Sequence, residues 1–163
     1  MIHLNIGSNL ESKHGSRYNN ITIAINLLKD SKIKIHKISS FYETPSYPNQ
    51  NFPKFLNVGI IANFNDNYIE LLKITNLIEK KIGRIKSKKN DPRVIDIDII
   101  DFKGIIKDSI DLILPHPKSH HRNFVLLPLF EINKNWVHPK SKDHIKTLIL
   151  KLSNKDITCI KQI

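Results

Sequence analysis

Cysteine, glycine and tryptophan are all scarce in this chain. Its single cysteine, Cys159, excludes an intramolecular disulfide and points to a reducing compartment. Five glycines beside eight prolines exclude a low-complexity or collagen-like chain, and neither an internal repeat nor a linker is visible. No apolar run approaches membrane-spanning length, and the N-terminus lacks the basic-then-apolar pattern of a signal peptide. The expected location is therefore the cytoplasm, with no membrane partner. Acidic side chains are in deficit as well: 15 Asp+Glu stand against 26 Lys+Arg, a net charge of +11. Such a surplus suits a polyanion, whether nucleic acid, phosphorylated metabolite or anionic membrane. The lysines are scattered through an Ile- and Asn-rich chain, so the positions of the arginines say more about partners than the total does. The 163 residues are enough for one domain, 1–163, with a core of its own.

Against this background one segment stands out, Asp91-Pro92-Arg93-Val94-Ile95-Asp96-Ile97-Asp98-Ile99-Ile100. Its β-branched apolar content reads as a buried strand, in which side chains alternate between faces. Asp96 and Asp98 then share one face, with Ile95, Ile97 and Ile99 on the other. Two neighbouring buried carboxylates cost several kcal/mol unless cations compensate them. Mg²⁺ takes hard oxygen ligands of this kind together with phosphate, and Arg93 adds a planar fork of donors for phosphate oxygens. A solvated amphipathic strand would carry the same pattern, and the segment alone leaves both readings open.

Read in order, Ile2 to Ile6 forms a first strand ended by Gly7-Ser8-Asn9. Apolar residues at helical spacing predict a helix over Arg17 to Lys29. Ile33 through Tyr42 reads as a second strand, the proline-rich stretch Thr44 to Pro53 as a loop, and Phe55 to Phe64 as a third strand. Asn67 to Ile82 carries an apolar helical stripe ended by Gly83. A basic loop then leads into the Asp-x-Asp strand. Lys103-Gly104 predicts a hairpin turn into a short strand around Ile105 and Ile106. Helices are expected at Asn123 to Ile132, despite Pro128, and at Asp143 to Leu152. The fold class is α+β, a ferredoxin-like β-α-β-β-α-β core with an added hairpin and C-terminal helices, in three α-β-α layers.

Several segments occur together in one order: Ile6-Gly7-Ser8-Asn9-Leu10, Ser39-Ser40-Phe41-Tyr42-Glu43-Thr44-Pro45, Phe55-Leu56-Asn57, Glu79 with Gly83-Arg84, Pro92-Arg93 with Asp96-Ile97-Asp98, and Pro115-His116 with Arg122-Asn123-Phe124 and Pro128-Leu129. From Ile6 to about Glu131 the chain resembles the 6-hydroxymethyl-7,8-dihydropterin pyrophosphokinases of folate biosynthesis. The resemblance implies transfer of pyrophosphate from ATP to the hydroxymethyl oxygen of the reduced pterin, releasing AMP. It implies two Mg²⁺ ions on Asp96 and Asp98, and mobile-loop arginines at Arg84 and Arg93. ATP contacts are implied at Glu79, Lys86, Arg93, Ile99, His116 and Arg122. Pterin contacts are implied at Thr44, Pro45, Phe55, Asn57 and Phe124. A flat heteroaromatic ring suits aromatic faces above and below and an amide in its plane, which Phe55, Phe124 and Asn57 supply.

The chain also departs from the family pattern. Between Arg84 and Arg93 it is one residue shorter than bacterial members. Asn90 stands near a frequent tryptophan, Lys86 replaces a common arginine, Pro117 follows the histidine where tyrosine can occur, and Phe55 replaces tyrosine. Lysine cannot reproduce bidentate phosphate binding. His14, His120 and His121 lack partners at ligand spacing, and Trp136 reads as a packing residue. The expected partners are small molecules, with no nucleic acid, and the expected state is a monomer. Two other readings fit parts of the sequence. A basic ferredoxin-like RNA-binding module would suit the charge, although Asp96 and Asp98 would repel phosphate on the sheet face it needs. A different Mg²⁺-dependent phosphoryl or nucleotidyl transferase would suit the scaffold.

Overall fold

The computed structural model describes residues 1–163 apart from Lys86, Ser87 and Lys89. The elements run β1 (Ile2–Ser8), α1 (Arg17–Asp30), β2 (Lys34–Ile38), β3 (Tyr42–Thr44), β4 (Phe55–Asn63), α2 (Tyr68–Ile82), β5 (Asp96–Phe102), β6 (Lys107–Asp108), β7 (Ile113–Leu114), a 3-10 turn (Ser119–His121), α3 (Asn123–Ile132), α4 (Ile145–Leu150), α5 (Asn154–Thr158) and β8 (Lys161–Gln162). The main sheet has the order β5-β1-β4-β3-β8, with β2 also on β4, and every one of these pairs is antiparallel. This is the expected ferredoxin-like plan. Its order follows from the two β-α-β units, which place β1 and β4 side by side at the centre.

Alternation along the central strands produces the layers. Ile2, Leu4 and Ile6 of β1, Leu56, Val58 and Ile60 of β4, and Ile97 and Ile99 of β5 share a core with Ile21, Leu28, Leu71 and Ile78 of α1 and α2. The opposite face meets Val125, Leu126, Leu129, Trp136, Ile145 and Leu148 of the C-terminal layer, through Ile61 and Ile100. Two features bring α3 close to that face. Pro128 lies inside the helix, and the position beneath it is Gly59, where a Cβ would stand 3.1 Å from Pro128 Cβ. Helix α2 starts at Asn67, whose side chain accepts from the Ile69 and Glu70 amides, and ends at Gly83 with φ of 110°.

Four expectations need correction. The stretch Ile33 to Tyr42 is two strands, because Ser39 leaves the ladder: its amide donates to Gly59 O at 2.9 Å and its hydroxyl accepts from Gly59 N. Asp91 to Ile95 is irregular and the strand begins at Asp96, because the Arg93 amide and carbonyl bond to Asn9 instead of a strand neighbour. Lys103 and Gly104 do form a turn, but the following strand, β6, pairs with β7 as a separate ribbon. The outer edge of β5 is used instead by the His116 amide, which donates to Ile100 O at 2.9 Å. Finally, the last helix expected over Asp143 to Leu152 is shorter, with His144 as its N-cap. The 3-10 turn, α5 and β8 have no counterpart in the sequence reading.

Candidate active site

The register places a row of polar residues across the face turned toward α3. Tyr42 lies opposite Asn57, Asn57 opposite Gly7, and Gly7 opposite Asp96. In the next such row Gly59, Asn5 and Asp98 align. Directly opposed residues in antiparallel pairs project to the same side, so Asn57 and Asp96 face one space about 10 Å wide, two strand spacings. Gly7 keeps that space open. A Cβ there would meet Asn57 Oδ1 at 3.0 Å and Phe55 Cδ1 at 3.5 Å. Gly7→Ala should therefore raise the KM of any ligand seated on Asn57 about tenfold while shifting Tm by only a few degrees. Steady-state kinetics beside calorimetry would check this, and an unchanged KM would remove Gly7 from the floor.

The acidic end of the row is held by arginines. Arg84 Nη1 donates to Asp96 Oδ1 at 2.6 Å and also to Glu79 Oε1, and Arg93 Nη1 reaches Asp96 Oδ2 at 3.0 Å. Both oxygens of Asp96 are thus engaged. Glu79 is buried on α2, accepts from the Ile97 amide at 2.7 Å, and has its pKa raised by burial, against the lowering pull of Arg84. Its role in this arrangement is to position Arg84. Asp98 is different. Among the described residues, the basic side chains that approach it, His116 Nε2 at 3.8 Å and Arg122 Nη1 at 3.7 Å, lie beyond hydrogen-bond length. Burial first, and then the Asp96 charge, push its carboxyl up to about 7.

His116 accepts from the Lys118 amide through Nδ1 at 3.2 Å, which leaves the proton of its neutral form on Nε2, facing Asp98. Burial and then Arg122 push this imidazole down to about 4, so it is uncharged at neutral pH. Arg122 sits over the Phe124 ring at 5.3 Å and links the acidic end to the aromatic one. Beside the carboxylates lies a cleft of about 510 Å³, whose walls include Leu72, Glu79, Ile99, Leu112 and His116. Its size and mixed lining suit a nucleotide-sized ligand.

At the other end of the row Asn57 and Thr44 are buried, and Asn57 Nδ2 donates to Thr44 Oγ1 at 3.3 Å. Phe55 and Pro45, their neighbours, are half-buried, as is Phe124, which lies against Arg122. The structure therefore gathers Glu79, Arg84, Arg93, Asp96, Asp98, Ile99, His116 and Arg122 at one end and Thr44, Phe55 and Asn57 at the other. Lys86 lies outside the described residues. Sequence reasoning read Gly7 as part of a turn that ends the first strand, whereas β1 runs on through Ser8, and it assigned no role to Asn5 or the Ile110 to Ile113 wall, because only the strand register and the β6-β7 ribbon bring them here. His120 stacks on His121 and His138, and among the described residues no group of three metal-binding side chains forms. Trp136 is buried, as expected, and donates to Asp101 Oδ2 at 2.9 Å.

Comparison with known proteins gives the family of the chain. The family model described as 7,8-dihydro-6-hydroxymethylpterin-pyrophosphokinase matches residues 3–134. The folic acid synthesis protein FOL1 of Dictyostelium discoideum is 36% identical over 94% of this chain, which spans 22% of that protein. The chain likewise spans about a fifth of the Pneumocystis carinii relative, 20%. The 2-amino-4-hydroxy-6-hydroxymethyldihydropteridine pyrophosphokinase of Aquifex aeolicus is 33% identical, with 99% of this chain and 98% of that protein aligned. Among solved structures, wild-type Plasmodium falciparum HPPK-DHPS superposes with a TM-score of 0.68 at 16% identity, over 92% of this chain and 44% of the other. A variant of it with pteroate gives 0.74 over 99% and 46% at 16% identity. The six ordered motifs and the family match over residues 3–134 converge, and the chain belongs to the 7,8-dihydro-6-hydroxymethylpterin-pyrophosphokinase family.

Proposed function

We propose that this chain transfers the pyrophosphoryl group of ATP to the hydroxymethyl oxygen of 6-hydroxymethyl-7,8-dihydropterin, releasing AMP, as a step of folate biosynthesis. The observation that carries the reading is the row Asn57, Gly7, Asp96, in which a flat-ring end and a carboxylate end flank a position without a side chain. The pterin sits between Phe55 and Phe124 with its amide edge on Asn57 and Thr44. ATP lies in the cleft along Ile99 and Leu112, with its triphosphate toward Asp96 and Asp98. The hydroxymethyl oxygen then bonds to the β-phosphorus above Gly7, the bond from that phosphorus to the oxygen that leaves with AMP breaks, and the hydroxyl proton passes to solvent water.

The carboxylates suit two Mg²⁺ ions. Among the described residues Asp98 has no cation within hydrogen-bond length, and burial first and then the Asp96 charge raise its pKa, a cost to the ionised form that a hard dication relieves. When bound, Mg²⁺ neutralises the triphosphate and lowers the pKa of the attacking hydroxyl. Asp96 becomes available as Arg84 and Arg93 exchange its oxygens for those of phosphate, a bidentate partner of the same geometry. Arg84 and Arg93 thereby stabilise charge on the transferring group, and Glu79 keeps Arg84 aimed. Neutral His116 donates through Nε2–H, and Arg122 holds a phosphate from the far side.

We further read residues 1–163 as one catalytic unit, monomeric and cytoplasmic, with small molecules as its partners and no nucleic acid. Among the described residues no helix is long and apolar enough to cross a membrane. Crystals grown with Mg²⁺, an unreactive ATP analogue and the pterin test the arrangement. The ring is expected between Phe55 and Phe124 with the β-phosphate within reach of its hydroxyl. A pterin bound away from Asn57 would overturn it.

A further inference from the structure

Behind the active site lies a second polar cluster, buried between the turn after β1 and the two loops that flank the site. Asn9 is 2% exposed, and its side chain makes three hydrogen bonds to two separate segments. Its Oδ1 accepts from the Arg93 amide at 2.7 Å. Its Nδ2 donates to Ser46 Oγ at 3.2 Å and to Pro53 O at 3.1 Å. The Asn9 amide also donates to Arg93 O at 3.1 Å. Ser46 Oγ donates onward to Pro53 O at 2.6 Å, so Asn9 and Ser46 together close the base of the 46–53 loop. That loop begins just after Thr44 and Pro45 and ends just before Phe55. On the other side, Val94 O accepts from Ser8 Oγ at 2.7 Å and from Asn20 Nδ2 at 3.1 Å. These two side chains pin the Arg93 segment but make no hydrogen bond to the 46–53 loop.

We propose that Asn9 is a positioning residue that makes the pterin lip and the Arg93 segment one mechanical unit, so that each substrate subsite is held in the geometry the other requires. The inference rests on the proposed roles of Arg93 and of the Thr44–Phe55 lip. A primary amide is the side chain that meets both demands here. Aspartate lacks the donors for Ser46 and Pro53, and serine or alanine is too short to bridge. Buried polar groups that are fully paired fix a single arrangement, and leaving these unpaired loosens both loops together.

The test is a double-mutant cycle with Arg93→Ala, read as kcat and pterin KM separately. Asn9→Ala is expected to lower kcat about tenfold in the parent and to have no further effect on kcat in the Arg93→Ala background, because it acts through that residue. It should raise pterin KM about tenfold in both backgrounds, through the lip. Asn20→Ala, which loosens Val94 without touching the lip, should lower Tm and leave pterin KM unchanged. A kcat loss by Asn9→Ala that multiplies fully onto Arg93→Ala, or a pterin KM that Asn20→Ala raises equally, would reduce Asn9 to a fold-stabilising residue. Should Asn9→Ala fail to fold, Ser46→Ala removes one of the two contacts Asn9 makes with the lip, together with the Ser46–Pro53 bond, and leaves the Arg93 side of the bridge intact. It is then expected to raise pterin KM at constant kcat, and an unchanged KM overturns the proposal. If Arg93→Ala itself leaves turnover intact, the role of Arg93 is what fails, and pterin KM in Asn9→Ala still decides the bridge to the lip.

Discussion

Asp98→Asn is expected to lower kcat/KM at least about 10³-fold and yet to give a folded protein that is more stable than the parent above neutral pH. The two halves have one cause. In this fold Asp98 sits beside Asp96, with the Arg122 guanidinium 3.7 Å away and the neutral His116 imidazole at 3.8 Å, and its carboxyl is pushed up to about 7. An unfolded aspartate titrates near 3.9, so the folded state holds this proton more tightly than the unfolded one. The stability that Asp98 contributes is therefore complete below about pH 4 and is lost as pH rises through about 7. At pH 8 the ionised carboxylate costs on the order of 2 kcal/mol, less than its full shift implies because the cleft is open to water. The amide removes that cost, which corresponds to a gain of about 5 °C in Tm at pH 8 and none at pH 4. Mg²⁺ should raise the Tm of the parent and leave that of the variant nearly unchanged. Calorimetry at both pH values and steady-state kinetics check the set. Near-normal turnover, or a lower Tm at pH 8, would mean that Asp98 is a satisfied structural residue and no metal ligand.

Arg93→Ala is expected to lower kcat about 100-fold while changing the Kd for ATP less than about threefold. Before any ligand arrives, the Arg93 guanidinium is already spent on Asp96 Oδ2 at 3.0 Å and on Asp91 O at 3.2 Å. Binding ATP exchanges one set of hydrogen bonds for another of similar strength, so little affinity is gained in the ground state. The gain comes when charge builds on the transferring group, which is where a preorganised guanidinium is worth most. Arg93→Lys should restore little, since an ammonium cannot span two oxygens. Equilibrium titration and single-turnover kinetics separate the two quantities. A loss of ATP affinity that matches the loss of rate would make Arg93 a binding residue only.

The carboxylate end of the site was legible in the sequence because its chemistry is local. Asp96 and Asp98 alternate with isoleucines on one strand, and period-two alternation fixes their shared face without knowledge of any partner. Helices α1, α2 and α3 were legible for a similar reason, with Asn67 and Gly83 marking the ends of α2 directly. The floor of the site was not, because Gly7 matters only through its lateral neighbours Asn57 and Asp96, each dozens of residues away. Asn9 was equally hidden: its partners Ser46, Pro53 and Arg93 lie on two loops that meet only after the sheet has formed. The split of β2 from β3 turns on one serine hydroxyl that takes over the Gly59 amide, an interaction no hydrophobic pattern encodes. Strand β8 was missed because its short, exposed sequence gains strand geometry only by adding to β3.

The fate of the phosphates is the most direct test of pyrophosphoryl transfer. Incubating the protein with ATP, Mg²⁺ and 6-hydroxymethyl-7,8-dihydropterin, and following the mixture by phosphorus NMR, distinguishes the possible transfers. The prediction is equimolar AMP and pterin diphosphate ester, neither appearing without the pterin, and both abolished by Asp98→Asn. ADP as the nucleotide product, or AMP with free pyrophosphate in the absence of pterin, would contradict it.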